Sequence, residues 1–257
     1  MRNFVIGYIM FLAMAGTAFS ETKEPPKKLA VDLGGGVKLD LVLIPAGSFT
    51  MGDDSAKPAH KVTITKPFHL GKYEVTQEQW EAVMGNNPSE FKGPKNPVEN
   101  VSWDDCQQFL VKLNAKSGGQ GGKFVLPTEA QWEHACRAGS TGKFCFGDEE
   151  EQLDEYAWYG KNSGSTTHSV GGKKPNAWGL YDMHGNVWEW CQDWYDTYGA
   201  EAVDDPSGPT TGSNRVRRGG SWGGTARYCR SAYRGRDDSS DRGDYLGFRL
   251  ALVAVKQ

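Results

Sequence analysis

Apolar side chains take every second position from residue 37 to 43 (Val37, Leu39, Leu41, Leu43), with Lys38 and Asp40 between them. A period of two puts one set of side chains on one face of an extended chain, so this stretch predicts a strand. Pro45-Ala46-Gly47 turns it, and residues 48–51 continue extended. Residues 61–65 (KVTIT) and 68–72 predict further short strands. Three later segments switch to the helical period, and each opens with a similar device. Thr76 with Gln79, Ser102 with Asp105 and Thr128 with Gln131 match the capping box, in which two side chains reciprocally satisfy exposed backbone N–H groups. Val75 can staple against Trp80. The first helix should end near Met84, with Gly85 to close it and Pro88 beyond. The second carries Phe109, Leu110 and Leu113 toward Ala115. The third runs through Trp132 to about Ala138, before Gly139. The string Thr-x-x-Gln-Trp-Glu occurs at 76 and 128 and reads as one capping solution used twice. Beyond Gly139 the helical signals fade. Short apolar runs such as 246–255 predict loops and short strands, and no linker interrupts residues 37–257, which read as one domain.

The 257 residues are 38% hydrophobic, with 33 glycines and nine tryptophans. That balance argues against a helical bundle and against a collagen-like or disordered chain. It suggests a loop-rich globular fold whose core leans on aromatic rings. A net charge of −3 gives no global reason to expect a nucleic-acid partner. Met1-Arg2-Asn3 is a short basic start, residues 4–18 are apolar, and Ala18-Phe19-Ser20 fits a small-x-small cleavage site. Residues 1–20 therefore read as a signal peptide for export to the periplasm or beyond, too short to leave a stable membrane span. Residues 21–36, beginning ETKEPPKKL, read as a flexible leader.

Five cysteines, Cys106, Cys136, Cys145, Cys191 and Cys229, form no CxxC pair. Export permits disulfides, and the odd count leaves at least one thiol unpaired within the chain. Gly219-Gly220-Ser221-Trp222-Gly223 matches the G-x-S-x-G nucleophile elbow. That machinery needs a histidine later in the chain, and the last one here is His184. None of the histidines stands in HExxH or HxxxH spacing, so they read as structural or exposed. Residues 215–236 hold seven arginines and no acid, interleaved with Trp222, Tyr228 and Tyr233. Pairing with the following Asp237, Asp238, Asp241 and Asp244 is favoured over a nucleic-acid surface. Asp182 and Glu189 flank a Gly-Asn turn, the oxygen-rich kind of setting that calcium accepts.

Seven motifs in order then define a resemblance. They are Leu43-Ile44-Pro45-Ala46-Gly47-Ser48-Phe49-Thr50-Met51-Gly52, Tyr73-Glu74-Val75-Thr76, Pro97-Val98 with Val101-Ser102-Trp103, and Leu126-Pro127-Thr128-Glu129-Ala130-Gln131-Trp132-Glu133. Gly179-Leu180-Tyr181-Asp182-Met183-His184-Gly185-Asn186-Val187-Trp188-Glu189-Trp190, Arg218-Gly219-Gly220-Ser221-Trp222 and Leu246-Gly247-Phe248-Arg249 complete them. The chain resembles the formylglycine-generating enzyme, or sulfatase-modifying factor, family over residues 38–253.

The resemblance implies an irregular α+β fold, a variant of the C-type lectin fold, stabilised by calcium. By position, Asp182 and Glu189 would give side-chain oxygens and Gly185 and Val187 carbonyls to that ion. Asp182 stands where the family often has Asn. Residues 162–169 are too short for the family's second calcium site. Active members use copper(I) and oxygen to oxidise a cysteine in an unfolded sulfatase segment, holding copper on two thiolates five residues apart. Here the second falls on Cys229 and the first on Gly224, which has no ligand to offer. Trp188 and Ser221 match pocket positions, and Tyr245 replaces a pocket asparagine. Cys191, in a motif that converges on the same pocket, is expected to form a disulfide with Cys229. Two functions follow. The first is oxidative modification, with Cys229, Ser221 and Trp188 as catalytic residues, of an unfolded sulfatase-type polypeptide or another exported protein. The second is a non-catalytic, calcium-stabilised domain that binds peptide or glycan in the same groove.

Overall fold

A computed structural model describes residues 27–118 and 122–254. The signal-peptide expectation for 1–20 and the first part of the leader lie outside the described residues. The rest of the leader does not behave as expected. Lys28–Gly34 forms strand β1, which pairs antiparallel with β2 (Val37–Ile44), Lys28 opposite Val42. Gly34, Gly35 and Gly36 all take positive φ in the connecting turn, where a side chain would be strained, and the Gly34 amide donates to Asp32 Oδ1.

Three small sheets follow. The first is ordered β1, β2, β5 (Phe68–Gly71), β12 (Ala251–Val253), β6 (Lys123–Val125). The second joins β3 (Gly47–Asp53), β4 (Ala56–Ile64) and β8 (Val203–Asp204). The third is ordered β10 (Arg234–Asp237), β9 (Arg215–Arg218), β7 (Trp188–Trp194), β11 (Leu246–Gly247). Helices α1 (Gln77–Met84), α2 (Trp103–Ser117) and α3 (Glu129–Arg137) each carry a complete capping box, on Thr76, Ser102 and Thr128. Gly85 closes α1 in the left-handed conformation, its N–H donating to Glu81 O. A single turn, α4 (Leu153–Tyr156), is the last α-helix among the described residues. Among them no helix is long and apolar enough to cross a membrane.

Aromatic rings fill the interior, as the composition suggested. Trp80 stacks on Phe109 at 5.3 Å, and Phe248 meets Phe109 edge-on at 5.4 Å. Strand β7 divides the core because its side chains alternate. Trp188 and Trp190 join the cluster under α1 and α2, whereas Cys191 joins the one under α3.

Candidate functional site

The third sheet carries a cavity of about 420 Å³ at one end. Trp188 opens β7 and forms one wall. Tyr228, on the short 3-10 turn Ala226–Cys229, and Tyr233, just before β10, pack against it and extend that wall. Tyr228 and Tyr233 meet edge-to-face at 4.9 Å, and Trp188 lies 5.9 Å from Tyr233 and 6.2 Å from Tyr228. Tyr245 and Asp244 complete the rim. Arg217 is stacked over Trp188 at 4.3 Å and neutralised by Asp237 at 2.7 Å, so it braces the aromatic wall. Trp222 is fixed by its indole N–H, which donates to Asp244 O at 3.0 Å, and by the edge of Phe91. Ser221 lines this cavity, and the residue as a whole is only 4% exposed. The site is thus an aromatic cup with one serine hydroxyl in its lining.

Cys229 is next to the cup but outside it. The residue is 0% exposed, and its Sγ donates to Thr225 O at 3.8 Å. The Gly220 backbone is packed directly on the sulfur, since a Cβ there would lie 2.9 Å from Sγ. Burial, and then the neighbouring Cys136, push the Cys229 thiol well above the ordinary range. Cys136 is pushed up to about 12, also by burial. Between them His184 Nε2 accepts from the Cys145 amide, so Nδ1 carries the ring proton and donates to Cys229 O at 2.7 Å. The imidazole is therefore committed to backbone.

All five cysteines are free thiols, which corrects the expected Cys191–Cys229 disulfide. Cys191 points into the α3 cluster, whereas Cys229 packs with Phe144 and Tyr159 in another. The arginine-rich segment also pairs differently from expectation. Only Arg217 takes one of the following aspartates. Arg218 pairs with Glu133, Arg234 with Glu129 at 2.6 Å and Arg230 with Asp53 at 3.0 Å. Arg215 lies between Trp103 and Trp194, 3.7 and 3.4 Å from their ring centres. The partners are distant in sequence, so adjacency of charge along the chain could not reveal them.

Behind the cup lies a buried polar centre. Both Glu189 oxygens meet the Arg249 guanidinium at 2.6 Å, and Trp132 Nε1 donates to Glu189 Oε2 at 2.7 Å. Glu74, unassigned by the sequence reading, accepts from the Val187 amide and the Asn186 side chain. Asp182 Oδ2 accepts from Gly171 N, whereas Oδ1 is buried without a partner. Burial, then the Asp182 charge, pushes Glu74 well above the usual carboxylate range, and burial raises Asp182 to about 6. Gly185 comes so near Trp158 that a Cβ would sit 2.3 Å from its carbonyl oxygen.

These residues can be tested against the metals that the resemblance implies. Calcium fits in part. Three buried carboxylates face one guanidinium, and Asp182 offers an oxygen with nothing else to bind. Glu189 has most of its capacity committed to Arg249 and Trp132, and no three His, Cys, Asp or Glu side chains among the described residues are placed to hold a metal. Copper(I) does not fit. It prefers paired soft thiolates, Gly224 supplies none, and Cys229 is a single, fully buried thiol.

The sequence model of the sulfatase-modifying factor enzyme 1-like domain matches residues 37–254. The chain belongs to this family and has its irregular α+β fold. The chaperone protein LppX of Paenibacillus barcinonensis is 31% identical over 97% of this chain and 99% of its own. The formylglycine-generating enzyme of Mus musculus is 30% identical, over 82% of this chain and 74% of its own. Among solved structures, Treponema denticola variable protein 1 superposes with a TM-score of 0.84 at 37% identity, covering 89% of this chain and 99% of that one.

Proposed function

We propose that this protein is a binding member of its family, which holds an extended segment of an exported polypeptide in the aromatic cup and does not oxidise it. One observation carries this reading: aromatic rings line the cavity, while the only thiol at a family copper position lies outside it and is fully buried. Trp188, Tyr228 and Tyr233 would grip an apolar or aromatic side chain. The Ser221 hydroxyl would pair with a peptide carbonyl or amide and so fix the segment's orientation. The name of the relative LppX, a chaperone, supports a polypeptide as the ligand.

The test is the affinity of a fluorescein-labelled extended peptide bearing one tryptophan, read by anisotropy. Tyr228→Ala removes an exposed ring of the cup and should weaken binding about tenfold or more. Cys229→Ala should leave it within about twofold. Equal binding by wild type and Tyr228→Ala would sink the cup as the site.

We also propose that a structural calcium ion sits against Asp182, with the Gly185 and Val187 carbonyls and the remaining capacity of Glu189 as further donors. Its role would be to neutralise surplus buried carboxylate charge. Chelation should then lower the melting temperature by about 5–10 °C, the scale of losing a ligand present at about a hundred times its dissociation constant. Asp182→Ala should melt identically with and without chelator. A wild-type melt insensitive to chelation would count against the ion.

A further inference from the structure

A second cavity, of about 450 Å³, lies between β3 and the end of α3 and shares no lining residue with the cup. Strand β3 gives it Ser48, Phe49 and Thr50. Helix α3 gives His134 and Arg137, and the loop that follows gives Thr141 and Lys143. The walls are braced by the protein itself. β3 is an edge strand of its sheet, and it is clamped to α3 through Gly52. The Gly52 amide donates to Glu133 Oε1 at 3.0 Å, and its carbonyl accepts from Arg137 at 3.3 Å. Arg137 also donates to Gly142 O at 3.0 Å. The Ser140 hydroxyl donates to Phe144 O at 2.8 Å and accepts from Gly142 N at 3.1 Å. Gly142 is packed on the far end of the loop, since a Cβ there would lie 2.8 Å from Gly147 O. The loop is closed on itself, so a ligand finds the cavity already shaped.

The charges in the lining cancel, which favours an uncharged ligand. Arg137 is committed to Glu133 at 2.8 Å, and Asp53 to Arg230 at 3.0 Å. The cation of Lys143 and the carboxylate of Asp148 balance one another in the remaining lining. His134 is neutral as well. Its Nε2 donates to Pro45 O at 3.1 Å, and burial holds its pKa below the usual imidazole range. What the cavity offers instead is a ring and hydroxyls. Phe49 is half-buried and braced by the His134 ring at 5.1 Å, which is braced in turn by Trp178 at 5.0 Å. Ser48 is engaged by the Thr63 hydroxyl at 3.0 Å, and Ser140 holds the loop. Thr50 and Thr141, both exposed, are the hydroxyls that a ligand can use. An aromatic ring beside groups that both donate and accept matches a molecule with one face of C–H groups and a rim of hydroxyls.

We propose that this cavity binds a neutral saccharide, with one pyranose ring on Phe49 and its hydroxyls on Thr50 and Thr141. The site is separate from the cup, needs no metal ion and does not depend on what the cup holds.

The test uses the full chain with maltotriose, cellotriose, laminaritriose and chitotriose, read by saturation-transfer NMR and calorimetry. At least one should bind with a dissociation constant of about 1 mM or tighter, and chelation should not change it. Phe49→Leu keeps an apolar side chain in the core but removes the ring, and should weaken that binding about tenfold or more. Thr141→Arg, at an exposed loop position, should fill the cavity and abolish binding while melting as wild type does. Both variants should bind the labelled tryptophan peptide of the cup assay as wild type does, and that peptide should not displace the saccharide. No binding of any trisaccharide at about 10 mM overturns the proposal. So does binding that survives either substitution, or binding that the peptide displaces. None of these results bears on peptide binding by the cup, which its own assay decides.

Discussion

Arg249→Met is expected to destabilise the protein by about 3–5 kcal/mol, read as a lower urea midpoint. Arg249 is fully buried, and its guanidinium answers both oxygens of the equally buried Glu189. It also donates to Gly71 O and Tyr181 O at 3.0 Å, tying β5 and the chain before β7 to one point. Removing it leaves a carboxylate in the core beside Asp182 and Glu74, with no cation among these side chains to answer it. The cost should come mainly from that stranded charge rather than from lost packing. The double variant Glu189→Gln with Arg249→Met removes the charge yet keeps an acceptor for Trp132 Nε1. It should be at least about 1 kcal/mol more stable than Arg249→Met alone. A single substitution costing less than about 1 kcal/mol, or a double variant no better than the single, would show that the pair does not organise this centre.

The second large effect is a loss of stability as pH rises, traced to Asp193. Burial, then the nearby Glu129 carboxylate, raises Asp193 to about 7 from a usual 3.8. The folded protein therefore keeps a proton on Asp193 that the unfolded chain releases near pH 4. Because the native state binds the extra proton, this contribution is fully present below pH 4 and is lost as pH climbs through 7. A shift of this size corresponds to a loss on the order of 4 kcal/mol between pH 4 and 8. Asp193→Asn keeps an acceptor for the Glu129 amide, which Asp193 Oδ2 receives at 2.8 Å, and cannot ionise. It should match wild type near pH 4 and exceed it above pH 7, as read from urea midpoints across the range. Parallel curves for the two proteins would show that Asp193 ionises at an ordinary pH.

Much of the architecture was legible because it is written in short-range patterns. The three capping boxes at Thr76, Ser102 and Thr128 depend on residues three apart, and all three formed. The strands from residue 37 to 71 depend on alternation and also formed. Strand β1 carries the same signal in Leu29, Val31 and Leu33, but the prolines and charges just before it are also the composition of a leader. What stayed illegible depends on distant partners. Glu129, Glu133 and Asp53 take arginines from the basic run 215–236, each far away in the chain. The disulfide expectation failed for a related reason: two cysteines in converging motifs point into different clusters, and only the alternation of β7 side chains decides which. The cup itself was half visible. Trp188, Ser221 and Tyr245 stand out in the sequence by motif, Tyr228 and Tyr233 only as aromatics among arginines, but their convergence on one cavity is a property of the fold.

The central claim is that this cavity recognises a polypeptide without oxidising it. The most direct test is to incubate the protein with copper(I), oxygen and a peptide carrying Cys-x-Pro-x-Arg, and to follow the peptide's mass. The account predicts that the cysteine keeps its mass throughout. Conversion of that cysteine to an aldehyde, at a rate that Cys229→Ala abolishes, would contradict it.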